Sequence, residues 1–280
     1  MDDLAARRAR FRELHQEGCF VIPNPWDQGS AIVLERLGFP ALASSSAGLA
    51  FSRGLPDDAA VLSRDVVLEH LLELVAATNV PLNADFQSGY AADPATLGRS
   101  VQLCVGTGVA GLSIEDASGD PLRPLFSLDQ AVERIRAARG AIDASGADVL
   151  LTGRAECFLV GHDDPLRESI RRLQAYAEAG ADVLYAPGLP DRDAIRDVVR
   201  ALAPKPVNVL IGNNMGLRVP EVAELGARRI SVGAALARAA WTAFRSAARA
   251  IAEEGDFRGF DGIASTAEVS GWFHVQLPPK

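Results

Sequence analysis

Short apolar runs alternate with longer amphipathic segments along most of the chain. The short runs are continuously apolar rather than alternating, which is typical of parallel strands buried on both faces. Eight of them predict β-strands: Cys19–Pro23, Ala41–Ser45, Val80–Asp85, Gly111–Glu115, Asp148–Thr152, Asp182–Tyr185, Pro206–Leu210 and Arg229–Val232.

The longer segments between these runs carry helix start and stop signals. Ser63 and Asp93 are predicted N-caps, and Pro94 occupies the first helical position after Asp93. Glycines follow several segments as C-terminal stops: Gly38, Gly108, Gly146, Gly180 and Gly226. The predicted helices are Asp27–Leu37, Ser63–Thr78, Asp93–Gly106, Leu128–Ala144, Pro165–Ala179, Asp191–Leu202, Val219–Leu225 and Ala234–Glu254.

Eight strand–helix units predict a parallel sheet closed into a (β/α)8 TIM barrel, an α/β fold. We expect residues 1–280 to form this one domain. An open doubly wound sheet is the alternative. It is disfavoured because no strand-to-helix turn carries the GxGxxG pattern of a dinucleotide-binding fold.

Composition narrows the class of partner. The chain has 280 residues and a formal net charge of −8, which disfavours nucleic acid. Its one basic run, at 7–10, is predicted to be a solvated helix face. No apolar run reaches the roughly 18 residues of a membrane span, and the polar N-terminus does not resemble a secretory signal. Cys19, Cys104 and Cys157 form no CxxC pair, so a reducing cytoplasm is expected.

Polar side chains fall where the predicted strands end. In a barrel of this kind, chemistry is located at the carboxyl ends of the strands. We therefore expect these residues to face one another: Asn24, Asp27, Ser44, Ser45, Ser46, Asn83, Asp85, Glu115, Asp116, Arg154, Glu156 and Asn208.

The residue types indicate an acid-binding centre. Asp85 and Glu115 are hard oxygen donors, which suit Mg²⁺ or Mn²⁺. Arg154 can bind a substrate carboxylate with two parallel hydrogen bonds. After the serine segment 44–46, Ala47 and Gly48 would let the backbone approach an anion closely. A small carboxylate that bridges metal and arginine is the simplest interpretation.

Each of these residues also has a purely structural interpretation. Arg154 could form a structural ion pair with Glu156 or Glu115, and Asp85 could cap the next turn. The serine segment could be a strand end of small residues.

Two other kinds of site are disfavoured. Cys157 is predicted to be a buried, inert thiol rather than a nucleophile. The four histidines lie away from the strand ends, which disfavours a zinc site or a Ser-His-Asp triad.

Taken in order, the motifs SSSAG, GLPD, NADFQSGY, SIED, GRAE and PVNVL resemble the isocitrate lyase/phosphoenolpyruvate mutase superfamily, from about Cys19 to Trp241. The resemblance implies the TIM barrel, Mg²⁺, and 2-oxo or 2-hydroxy carboxylic acids that react through an enolate-like intermediate. It also implies a homotetramer or dimer. The last barrel helix, after about residue 234, and the C-terminal helical tail would be exchanged between subunits.

The resemblance also assigns roles residue by residue. The substrate-binding serine strand falls on Ser44, Ser45 and Ser46, and the aspartate of the following loop falls on Asp57. The metal-binding D-x-D motif falls on Asn83 and Asp85, with the fourth-strand glutamate at Glu115. The substrate-carboxylate arginine falls on Arg154 and the seventh-strand asparagine on Asn208. Asp57, Glu115 and Arg154 are the implied catalytic residues.

This chain departs from the family pattern at two places. Asn83 replaces a charged ligand by an amide. The segment 117–125 has neither the cysteine of the lyases nor the lysine of the mutase, and its polar candidates are Ser118, Asp120 and Arg123.

Three functions remain open after these departures. We predict a carbon–carbon lyase or decarboxylase that acts on a small oxo- or hydroxy-acid. One alternative is a C–P bond enzyme, such as a phosphonopyruvate hydrolase, for which Arg53 and Arg123 are the candidate cations. The other is a non-catalytic carboxylate-binding relic of the fold.

Overall fold

The chain folds into a closed parallel barrel, seen in a computed structural model that describes residues 2–58, 61–91 and 93–274. The strand order is β1-β8-β7-β6-β5-β4-β3-β2, and every pair is parallel. A backbone hydrogen bond of 3.0 Å from Ala43 to Pro23 joins the two end strands. The predicted TIM barrel is confirmed. Its strands are β1 Phe20–Ile22, β2 Leu42–Ala43, β3 Leu82–Asp85, β4 Gly111–Glu115, β5 Leu150–Arg154, β6 Val183–Tyr185, β7 Val207–Leu210 and β8 Arg229–Ser231.

Helices cover the outside of this barrel. Each of the eight predicted helices is present, with ends within about two residues of the prediction. The helices are α1 Asp2–Leu14, α2 Gln28–Arg36, α3 Ser46–Ser52, α4 Arg64–Ala77, α5 Pro94–Gly106, α6 Leu128–Ser145, α7 Pro165–Glu178, α8 Arg192–Leu202, α9 Val219–Glu224, α10 Ala235–Glu254 and α11 Thr266–Gly271.

The predicted helix caps form as hydrogen bonds. The side chain of Ser63 accepts from the Val66 amide, and that of Asp93 accepts from Thr96. All five glycine stops have positive φ. At the end of α6, Gly146 takes the left-handed conformation that only glycine adopts at little cost.

Helix α1 closes the amino-terminal end of the barrel. Phe11 is fully buried there, in a cluster with Phe20, Ile22 and Leu150. These side chains form an apolar plug beneath the polar strand ends, so the site above it has a closed floor.

The prediction of a solvated basic face on this helix is wrong for two of its arginines. Arg7 Nη1 donates to the carbonyls of Val75 and Thr78 at the end of α4, and Arg8 donates to Val105 and Val109 at the end of α5. Cations at helix C-termini satisfy carbonyls that have no partner within the helix.

The chain after α10 contains a 3₁₀ turn at Arg258–Phe260 and then α11, which confirms the predicted helical extension. Arg36 of α2 donates to the carbonyls of Gly271 and His274, at 3.2 and 2.6 Å, so the end of the tail lies against α2. In the described part of the chain, no helix is long and apolar enough to cross a membrane.

Candidate active site

Five polar or aromatic residues form one row across the barrel wall. Strand register pairs Glu115 with Arg154, Arg154 with Tyr185, Tyr185 with Asn208, and Asn208 with Arg229. Because side chains on paired positions of neighbouring strands point the same way, all five face the barrel interior. The row contains two arginines, three strands apart.

Arg154 contacts three carboxylates and one aromatic ring of the site. Its Nη1 lies 3.3 Å from Asp85 Oδ1 and 3.2 Å from Glu115 Oε2, and its Nε donates to Glu156. The Tyr185 ring lies beneath the guanidinium, with 5.3 Å from Cζ to the ring centroid. Both ion pairs of the structural interpretation, to Glu156 and to Glu115, are therefore formed.

The serine segment fixes Asp85 from the other side. The backbone amide and hydroxyl of Ser46 both donate to Asp85 Oδ2 at 2.9 Å, and the Asp85 amide donates to Ser44 Oγ. Ser45 Oγ instead accepts from the Gly48 amide and caps α3. Helix α3 was not predicted, because its seven residues are almost all small or apolar and give no periodic signal.

A second buried network orients Glu156. The Glu156 amide donates to Asp116 Oδ1 at 2.8 Å, while Asp116 Oδ2 accepts from Arg172 at 3.0 Å and from the Tyr176 hydroxyl at 2.6 Å. Arg172 also pairs with Glu168. Asp116 therefore holds the segment after β5 in place and does not face the barrel interior.

A cavity of about 370 Å³ lies over these strand ends. Of the predicted site residues, nine line it: Asn24, Ser44, Ser45, Ser46, Asp57, Asn83, Asp85, Arg154 and Asn208. Glu115 lies behind Arg154 and reaches the cavity through that contact only. The size suits a small molecule.

The loop after β4 is folded on itself. Ala117 and Leu125 form an antiparallel bridge, Ser118 Oγ donates to the Arg123 carbonyl, and Asp120 pairs with Arg123. Of the residues that line the cavity, none comes from this loop. The structure thus does not bring the predicted polar candidates Ser118, Asp120 and Arg123 to the site.

Burial shifts the pKa values of the carboxyl groups. Burial raises the pKa of Glu115 and of Glu156, and the nearby Arg154 opposes the rise in both. Asp57 lies at the rim, where partial burial and then the charge of Asp85 raise its pKa. Burial also raises the pKa of Tyr185 to about 12.

Sequence reasoning missed Tyr185 and Arg229, which both line the cavity. Arg229 is the first residue of β8, so a search of strand carboxyl ends overlooks it. The alternation of Arg229 with Ser231 was the available signal, because residues two apart on a strand share a face.

Cys157 is buried, as predicted. The histidines lie outside the row of five, but His15 contacts Arg229 from below, with 3.4 Å between His15 Nε2 and Arg229 Nη1.

The donor set is chemically compatible with the divalent cation that the resemblance implies. Asp85 and Glu115 offer hard oxygens, and Asn83 Oδ1 is a buried amide oxygen without a hydrogen-bond partner. Only glycine fits at position 111 beside this oxygen, because a Cβ atom at Gly111 would lie 2.6 Å from Asn83 Oδ1 and would also contact Phe11. Among the residues that the structure describes, no three His, Cys, Asp or Glu side chains form a metal-binding group. In this arrangement, Asp85 and Glu115 share Arg154 instead.

A closed parallel barrel with an arginine–carboxylate centre at the carboxyl ends of its strands has the architecture of a TIM-barrel protein with its site at that end of the barrel. The model of the family described as phosphoenolpyruvate phosphomutase matches residues 11–252, and the chain belongs to that family. This confirms the superfamily that the motifs indicated.

Individual relatives agree with this assignment. A solved structure of a candidate lyase/mutase from Burkholderia cenocepacia J2315 is 44% identical, with a TM-score of 0.93 over 99% of this chain and 98% of that one. An uncharacterised protein of Mycobacterium tuberculosis is 30% identical over 87% of this chain and 89% of its own length. An oxaloacetate decarboxylase of Paraburkholderia xenovorans is 30% identical over 69% and 66%, respectively.

Proposed function

We propose that this protein is a carbon–carbon lyase or decarboxylase that acts on a small 2-oxo or 2-hydroxy dicarboxylic acid. The observation that supports it most is that Arg154, Asp85 and the serine segment 44–46 line one cavity of about 370 Å³. The similarity to an oxaloacetate decarboxylase favours the same reaction class.

In this proposal Arg154 binds a carboxylate of the substrate. The planar guanidinium has five N–H donors, and its three carboxylate neighbours and Tyr185 hold it in one orientation. Mg²⁺, or Mn²⁺ in its place, would be held by Asp85, Asn83 and Glu115 and would draw electron density toward the 2-oxo group.

Asp57 is the proposed proton donor. In the decarboxylation of a 2-oxo dicarboxylate, the electron pair of the breaking C–C bond moves onto the 2-oxo oxygen as an enolate and CO₂ departs. The enolate carbon then takes a proton. The Asp57 carboxyl lies at the cavity rim, and its raised pKa favours the protonated form more than in an ordinary aspartate. Asp57 is proposed for this proton donation because no residue of the loop after β4 lines the cavity.

The test is turnover of an acid panel that includes oxaloacetate, methylisocitrate and dimethylmalate, with Mg²⁺ or Mn²⁺ present. We expect release of CO₂ or a smaller oxo acid from at least one member. Asp57→Asn should lower kcat by about 100-fold or more if Asp57 donates the proton. Asp58→Asn is the matched control at the neighbouring position. No product from any acid would contradict the proposal.

C–P bond chemistry ranks lower because the two cations that the sequence suggested for a phosphonate, Arg53 and Arg123, are not among the residues that line the cavity. Phosphate release from phosphonopyruvate in the same panel would reverse this ranking. A relic of the fold would bind these acids without a divalent metal and turn over none of them.

We also propose that the chain acts as a homo-oligomer joined through α10. Of the twenty residues of this helix, only Ala237 is buried within one chain, whereas Trp241 and Phe244 are 43% and 63% exposed. Contiguous exposed aromatic side chains are typical of an interface.

A further inference from the structure

Arg229 is a buried cation inside the barrel, at the foot of the same cavity. It is the first residue of β8, only 3% of its surface is exposed, and it lines the cavity together with Arg154. Three strand spacings of about 4.8 Å separate the two arginines along the row. Long side chains at that separation can both reach a small molecule between them.

All the groups that Arg229 contacts are neutral. Its Nε donates to Asn208 Oδ1 at 2.8 Å and its Nη2 donates to Thr152 Oγ1 at 3.2 Å. Its Nη1 lies 3.4 Å from His15 Nε2. The other ring nitrogen of His15 lies 2.7 Å from the Phe11 carbonyl and donates to it, so Nε2 carries no proton and accepts. Burial, and then the charge of Arg229, lower the pKa of His15 to about 3, so the ring stays neutral.

Two other arginines near the strand ends, Arg154 on β5 and Arg172 on α7, differ from Arg229 in this respect. Arg154 contacts three carboxylates, and Arg172 contacts Asp116 and Glu168. Within the described ranges, no carboxylate forms an ion pair with Arg229. Burial lowers the pKa of Arg229 to about 10, which leaves it charged at neutral pH.

An unpaired buried charge is costly, and proteins normally supply a partner for it. The neutral acceptors around Arg229 use three of its five N–H groups and leave the charge itself uncompensated. The cavity is where a compensating anion can enter.

We propose that Arg229 forms a second anion subsite, which binds the distal carboxylate of a substrate whose first carboxylate lies against Arg154. This inference rests on the proposed function, because it assumes an acid at Arg154. It adds which group binds the second carboxylate of the proposed substrate, and that Arg229 selects dicarboxylates over monocarboxylates.

The test compares ligands that differ by one carboxylate. Calorimetry would measure binding of pyruvate, malonate and succinate to wild type, Arg229→Gln and Arg229→Lys, with Mg²⁺ present. We expect Arg229→Gln to weaken malonate or succinate by about tenfold or more and to change pyruvate by less than about twofold. Arg229→Lys should recover part of the dicarboxylate affinity, because it keeps the charge but not the planar donors. Phosphonoacetate is measured in the same way. If Arg229→Gln weakens the binding of phosphonoacetate more than that of malonate, the subsite binds a phosphonate rather than a carboxylate.

The outcomes separate the two proposals. If wild type binds none of these acids, the proposed function fails. If wild type binds them and Arg229→Gln weakens mono- and dicarboxylates equally, or weakens neither, the subsite is wrong and Arg229 only positions Asn208. Should Arg229→Gln not fold, Arg229→Lys gives the same comparison against wild type. If wild type and Arg229→Lys bind dicarboxylates with equal affinity, Arg229 does not form the subsite.

Discussion

Arg154 Nη1 lies 3.3 Å from Asp85 Oδ1, which joins β5 to β3 across the intervening strand β4. The family resemblance assigns these two residues to different ligands, the arginine to a carboxylate and the aspartate to a metal. In the structure the two groups form an ion pair. An acid bound to Arg154 would take the place of Asp85, and a cation bound to Asp85 would take the place of Arg154. Each ligand therefore frees the group that the other one binds, so we expect the two ligands to bind cooperatively.

Replacement of Arg154 tests the carboxylate clamp. Arg154→Lys keeps a positive charge near the three carboxylates but loses the planar donors, so acid binding should weaken by about tenfold or more. Arg154→Ala should cost about 3–5 kcal/mol of unfolding free energy as well, because it leaves buried carboxylates unpaired. Calorimetry with pyruvate and urea unfolding measure the two effects. Unchanged affinity in a folded Arg154→Lys protein would refute the clamp.

Asn83→Asp tests the metal site. The change replaces the buried side-chain amide, whose oxygen has no hydrogen-bond partner, by a charged carboxylate, so Mg²⁺ should bind about tenfold more tightly. Without metal, the buried carboxylate should lower Tm, and Mg²⁺ should restore it. Titration calorimetry and thermal unfolding with and without Mg²⁺ report both effects.

The control for this change is Asn213→Asp, which adds the same charge at an exposed position after β7. It should change neither Mg²⁺ affinity nor Tm appreciably. If Asn83→Asp leaves Mg²⁺ affinity where it was in wild type, Asn83 does not lie at the metal.

The barrel was predictable because each of its signals is local. A cap such as Ser63, a stop such as Gly146 and an apolar run such as Gly111–Glu115 each have a short-range physical cause. Helix α3 was not predictable in the same way, since it is a single short helix stabilised by Ser45 and by packing of its apolar residues on the barrel.

Only those site residues that lie at the carboxyl ends of strands were predictable from the sequence. Asp85, Glu115 and Arg154 are polar residues at the ends of apolar runs, and they do meet. Arg229 enters from the opposite end of its strand, and only register with Asn208 brings it to the cavity. Register between two strands depends on how their buried faces pack, which the sequence of β8 alone does not encode.

Acid should destabilise the protein partly through His15. Its pKa is about 3 in the folded chain, because of burial and then Arg229, and about 6.5 when unfolded. Below pH 6.5 the unfolded chain therefore binds a proton that the folded chain does not, and this contribution to stability is lost as pH falls from 6.5 toward 3. Between pH 7.5 and pH 5 the loss amounts to about 2 kcal/mol.

His15→Gln isolates this contribution. Urea unfolding at pH 7.5 and pH 5 should show a smaller drop in stability for the variant than for wild type, by about 2 kcal/mol. His162→Gln, at an exposed position, should retain the drop seen in wild type. An equal drop in the His15 variant and wild type would show that His15 does not titrate as its burial requires.

Substitutions on α10 test the oligomer. Trp241 and Phe244 lie one turn apart, their rings meet edge to face at 5.6 Å, and both are exposed on a single chain. A charged residue at the centre of an apolar interface leaves that charge without water or partner, so Trp241→Glu with Phe244→Glu should reduce the mass by at least half. Light scattering after size-exclusion chromatography measures it. Leu122→Glu, on the folded-back loop and 92% exposed, is the matched control and should keep the wild-type mass. A monomeric wild type, or a double variant of unchanged mass, would rule out association through this helix face.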